Sequence, residues 1–227
     1  MTTRSTLTRA DTMYSQGAYY PPANALPGLP INPTNYKSFG AIAAAVAAGV
    51  CASQASSGGN NALTINGSLA TNGVATPDVP RSLVAAWTGT AVCTVTGTDY
   101  YGQAQTEASA SGTSFTGKKA FATVTAVTFS AAVTAATVGT GVAIGLPHRV
   151  DANGLLDVLM DSKPDTGYTL APADTTSPAT SSTGDVRGTV AFTTAPNGTH
   201  VYAVNYVISD RTGGSDKKTG AYGVTPA

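Results

Sequence analysis

The sequence predicts an all-β protein: a β-sandwich or barrel-like domain with an extended Pro-rich N-terminal arm. Three observations lead there. From about residue 61, short apolar–polar alternations recur between turn signals at spacings of roughly 8–12 residues, the pattern of a sandwich or barrel. Ala, Thr, Gly and Ser dominate the 227 residues, and Glu107 is the only glutamate, so the residues that long helices lean on are scarce. Upstream, the uncharged stretch Met13–Pro33 holds Pro21, Pro22, Pro27, Pro30 and Pro33. Proline fixes φ and removes a donor, so this stretch is neither an interior helix nor a central strand and reads as an extended arm.

The elements follow in order. Residues 1–36 form the arm, residues 37–60 an Ala-rich connecting strand or short helix, and residues 61–227 the β domain. The run Phe39–Ala52 is too short to cross a bilayer, which takes roughly 18–20 apolar residues, and it reads as a packing segment with no membrane role. Leu63 and Ile65 alternate up to a turn at Asn66-Gly67. Val79–Trp87 comes next, its prolines marking a strand start or an edge. Ala91–Thr96 and Ala104–Ala110 pair across a hairpin at Gly97–Gln103. Lys119–Phe129 alternates, with Val124 on one face and Val127 and Phe129 on the other. Val138–Ile144 is a strand, while Leu155–Met160 fits a strand or a helical turn equally. Residues 171–184 are a loop. Val186–Phe192 and His200–Ser209 pair across Pro196-Asn197-Gly198, and the tail from Arg211 is peripheral. This makes eight to ten strands.

Charge narrows the function classes. Twelve Lys and Arg balance 12 Asp and Glu, and charged residues are 11% of the chain, against roughly 25% in an ordinary domain. A neutral chain has no basic stripe with which to grip nucleic acid. It also has little self-repulsion, which suits assembly into a homo-oligomer. Cys51 and Cys93 read as two buried thiols, since one pair does not make a disulfide framework.

No residue set carries catalysis. His148 and His200 are the only imidazoles and read as turn or surface residues. Gly139-Thr140-Gly141 lacks the rest of a dinucleotide fingerprint. Asp157, Asp161 and Asp165 recur every four residues, but Pro164 breaks the helix that would align them on a metal. Asp99 and Glu107 flank the hairpin and read as turn and cross-strand residues rather than a glycosidase pair. Tyr100 and Tyr101 offer a surface for stacking or protein contacts. Trp87 reads as core. The sequons Asn66-Gly67-Ser68 and Asn197-Gly198-Thr199 read as turns, and Lys118, Lys119 and Arg81 as rim charges. No catalytic, cofactor or metal site is expected. Arm residues Tyr14, Tyr19, Tyr20, Leu26, Leu29 and Ile31 are the expected partner contacts.

At Asp78-Val79-Pro80-Arg81 and Val95–Gln103 the chain resembles structural proteins of tailed-bacteriophage virions. The likeness continues through Thr116–Phe121, Val138–Gly141 and Gly145–His148, is clearest over residues 78–150 and fades toward the C-terminus. The resemblance implies a virion component and brings no enzymatic residues, and a β domain with an extended arm fits a capsid decoration, or cement, protein on the outer surface of a phage head. Its partners would be the major capsid protein and neighbouring copies of itself. A tail, collar or connector component is the first alternative, and a carbohydrate-binding β domain the second.

Overall fold

The computed structural model describes residues 34–208 and 221–227, and every regular element among them is a strand. In chain order these are β1 (Thr34–Ala41), β2 (Cys51–Gln54), β3 (Ala70–Thr71), β4 (Val74–Ala75) and β5 (Arg81–Ala91). Then come β6 (Cys93–Thr98), β7 (Ala104–Ala108), β8 (Gly112–Thr116), β9 (Thr123–Phe129) and β10 (Thr134–Gly145). The last are β11 (Leu155–Met160), β12 (Lys163–Pro164), β13 (Thr169–Ala171), β14 (Thr189–Ala191) and β15 (Val201–Val207). The all-β, barrel-like class is therefore the observed one.

Three antiparallel sheets result. Their strand orders are β1-β15-β11-β12, β13-β14-β10-β5-β8 with β2 joined to β10, and β3-β4-β9-β6-β7. The second and third sheets share an apolar core that includes Leu83, Val95, Val127 and Val138, with Trp87 edge-on to Phe129 at 5.0 Å. A second core gathers Val158, Tyr202, Val204 and Tyr206 of the first sheet with Ile144, Val190 and Phe192. The twelve-residue β10 feeds both: Ala136 and Val138 enter the first core and Ile144 the second.

Local departures from the sequence expectation have physical causes. The first strand starts at Thr34, inside the span read as arm, because its register with β15 begins at Thr34↔Val207. The Ala-rich run is neither one strand nor a helix. It ends β1, crosses β10 as irregular chain over residues 42–50, and opens β2. Its backbone is held by Val46 N–H donating to Thr140 Oγ1 and by Thr140 and Val50 N–H donating to Val46 and Val138 carbonyls. A Cβ on Gly139 would overlap the Val46 carbonyl, so the Gly139-Thr140-Gly141 run serves this crossing.

Asn66-Gly67 is not a hairpin turn. Asn66 Oδ1 accepts from Ala52 N–H at 2.9 Å, and the two-residue turn lies at Asn72-Gly73 between β3 and β4, where both residues have positive φ. In β9 the pairing steps from Thr96↔Ala126 to Gly97↔Val124, leaving Thr125 as an extra residue. That bulge puts Val124 and Val127 into the same core despite their odd spacing. Likewise Pro196-Asn197-Gly198 joins different sheets: β14 pairs with β10 and β13, β15 with β1 and β11. Asn197 Oδ1 instead accepts from Thr199 N–H at 3.0 Å, a local turn. Leu155–Met160 is a strand, and residues 221–227 are docked, with Val224 buried and Arg149 N–H donating to the Ala221 carbonyl at 2.8 Å.

Candidate interaction surface

The site is built on the β6–β7 hairpin. Asp99 is fully buried, and its Oδ1 accepts from Tyr101 N–H at 2.9 Å and Gln103 N–H at 2.8 Å. Gly102 N–H closes the loop on the Asp99 carbonyl at 3.1 Å. An aspartate folded back on its own loop in this way fixes the turn and turns the next two side chains outward. Tyr101 O–H then donates to the Pro147 carbonyl at 2.6 Å, and the ring lies 5.3 Å from the Arg187 guanidinium.

Around Tyr101 the rings form a continuous patch. Tyr100 is 5.1 Å away, Tyr222 meets it edge-on at 5.3 Å, and His148 lies 5.5 Å from Tyr222. The His148 ring is itself fixed by Nδ1, 2.6 Å from the Tyr206 hydroxyl. Lys37 of β1 brings its ammonium to 5.8 Å from the Tyr100 ring. Tyr101 and Tyr222 remain 45% and 59% exposed. Burial, aided by the Tyr222 phenol, raises the Tyr101 pKa above its ordinary value against the pull of Arg187, so its hydroxyl stays a donor. The patch is aromatic and held by hydrogen bonds, with the Lys37 ammonium at its rim and the Asp99-paired Arg187 beneath Tyr101.

Beneath it runs a charged seam. Arg187 reaches Asp99 Oδ2 at 2.9 Å, both buried, and so ties the end of β6 to the approach to β14. Asp185 Oδ2 accepts from Ala120 N–H at 2.9 Å, while its Oδ1 accepts from Arg187 and Gly188 N–H. Burial still holds the Asp185 carboxyl above the usual range. Glu107 accepts from Lys118 N–H at 2.6 Å and Lys119 N–H at 3.1 Å, yet burial pushes its pKa up to about 7. Lys119 Nζ donates to the Thr106 and Thr180 carbonyls, and desolvation lowers its pKa. Arg81 pairs with Asp78 at 2.7 Å and also donates to the Ala43 carbonyl.

These positions correct the reading of Lys119 and Arg81 as rim charges: both are buried. Asp99 and Glu107 are turn and cross-strand residues whose carboxylates accept backbone N–H groups. Trp87 is core, and Cys51 and Cys93 are free buried thiols whose pKa values burial pushes up to about 12. Asp161 takes His200 Nδ1 at 2.6 Å, and no group of three or more metal-ligating side chains occurs among the described residues. Tyr14, Tyr19, Tyr20, Leu26, Leu29 and Ile31 lie outside the described residues.

The Tyr100-Tyr101 dipeptide was visible in the sequence as a stacking surface. Tyr222, His148 and Lys37 carried no such signal, because each reaches the patch from a distant part of the chain. In comparisons with family models, curated proteins and solved structures, nothing matches this chain.

Proposed function

We propose that this chain is a non-enzymatic structural protein of a tailed-phage virion, a decoration protein bound to the outer surface of the head. The observation that carries a contact role is the pre-organised tyrosine patch, Tyr101 above all. It is locked by Pro147, Asp99 and Arg187, yet nearly half exposed. Rigid aromatic side chains give large contact area at low entropic cost, which is what a protein-contact surface needs. The seam supports the same reading, since six buried charged residues, Arg81, Asp99, Glu107, Lys119, Asp185 and Arg187, brace the domain internally. The virion setting rests on the resemblance over residues 78–150, with the major capsid protein and neighbouring copies as partners.

Quantitative mass spectrometry of purified particles tests this. Copies on the order of hundreds per particle support head decoration, whereas about six or twelve move the chain to the tail, collar or connector. Absence from particles overturns the virion reading. A carbohydrate-binding role is the second reading, favoured by the exposed tyrosine rings. Its platform would be Tyr101 and Tyr222, because Trp87 is buried. A glycan array with binding that Tyr222→Ala abolishes supports it, and a blank array removes it.

A further inference from the structure

We propose that the tyrosine patch is the receptor for the Pro-rich segment Tyr19–Pro33 of a neighbouring copy. The chemistry of the two surfaces matches. A polyproline-type segment has no internal hydrogen bonds, so its carbonyls face outward and its proline rings form ridges. Such segments dock in aromatic-lined grooves, where the rings receive prolines and a rim donor meets the carbonyls. Tyr100, Tyr101 and Tyr222 supply the rings at mutual spacings of 5.1 and 5.3 Å, and Lys37 supplies a cationic donor at the rim. The segment carries no charge, so it brings no group that the near-neutral patch would have to desolvate unpaired.

Where the chain enters the fold points to exchange between copies. Thirty-three residues precede Thr34, and β1 runs from Thr34 past Lys37 at the rim of the patch. The described chain therefore begins on the strand that rims the patch. Pro30 and Pro33 fix φ, so their sequence favours an extended segment over a tight reversal onto the chain's own rings. An acceptor on an adjacent copy needs no reversal of the chain. Each copy thus offers one donor and one acceptor, a head-to-tail arrangement that propagates or closes into a ring. This assignment concerns the isolated chain and stands apart from the virion reading.

The test is site-specific photo-crosslinking on the full chain. A benzophenone amino acid replaces Tyr222, and light- and heavy-isotope populations are mixed at high protein concentration, where an absence of crosslinks between copies also overturns the proposal. The expected result is mixed-isotope crosslinks from position 222 to residues 19–33, with none from the exposed control position Leu156. Replacing Pro21, Pro22, Pro27 and Pro30 by alanine should cut the yield about tenfold, the loss expected when interface anchors are removed. Crosslinks confined to single-isotope chains, crosslinks only to other residues, or a yield unchanged by the proline substitutions would each overturn the proposal. Circular dichroism of each variant confirms that the fold is intact. Failure here leaves particle copy number untouched, so the two readings fail separately.

Discussion

The apolar core and the charged seam stabilise the same domain by opposite means. Around Trp87 and Phe129, side chains of two sheets meet with no charge between them, and the free thiols Cys51 and Cys93 behave as small hydrophobes. Below the hairpin, Asp99, Glu107, Lys119, Asp185 and Arg187 are as buried as the core residues. There burial is tolerated only because each charge has a counter-charge or backbone partners. The core tolerates a change of shape poorly but is indifferent to pH. The seam depends on charge as well as on packing. The difference also explains why the tyrosine patch is ordered: a hydrogen-bonded seam fixes orientation, and the tyrosines it holds inherit that order.

The comparison can be broken most sharply at Asp99. Asp99→Asn keeps an acceptor for the Tyr101 and Gln103 amides but leaves Arg187 buried beside a neutral partner. Urea denaturation should show a loss of about 3–5 kcal/mol. Adding Arg187→Met should recover much of it, because it removes the buried cation that Asp99→Asn leaves beside a neutral partner. Leu83→Ala in the core should cost about 3 kcal/mol, with no charge substitution able to rescue it.

Glu107 gives the pH contrast. Its folded-state pKa, about 7, lies above the ordinary value of 4.5, so the folded state prefers the protonated carboxyl. Its contribution to stability is complete below about pH 4.5 and is lost as pH rises through about 7. The unfolding free energy should fall across that window by about 3 kcal/mol. The raised Asp185 carboxyl acts in the same direction, so Glu107→Gln should flatten only part of the fall. Gly139→Ala places a Cβ against the Val46 carbonyl and should cost about 1–2 kcal/mol in thermal denaturation, at any pH. Tyr222→Ala belongs to neither region and should change stability by no more than about 0.5 kcal/mol while impairing recognition.

The fold class was legible because strand periodicity is local. The β6 run Cys93-Thr94-Val95-Thr96 alternates buried and half-buried side chains as its sequence implies. What escaped was set by distant partners. Thr125 becomes a bulge only because β6 places Gly97 opposite Val124, and nothing within β9 announces that. The turn dipeptides misled for a related reason. Asn66 and Asn197 have turn chemistry, but each spends its side-chain acceptor on bracing backbone N–H groups rather than on a hairpin. Lys119 and Arg81 looked like surface charges because burial of a cation depends on acids and carbonyls that arrive from elsewhere.

The pairing of β1 with β15 has a mechanical consequence. Seven residue pairs join the two strands, from Thr34↔Val207 to Ala41↔Val201, and among the described residues β1 pairs with no other strand. A pull on Thr34 along the strand axis loads those pairs together, in shear. A pull across the sheet opens them one after another. Resistance to force is a question of how fast the ladder fails. A load along β1 is thus resisted far more durably than one across the sheet, and the same strand can hold under tension yet release by peeling.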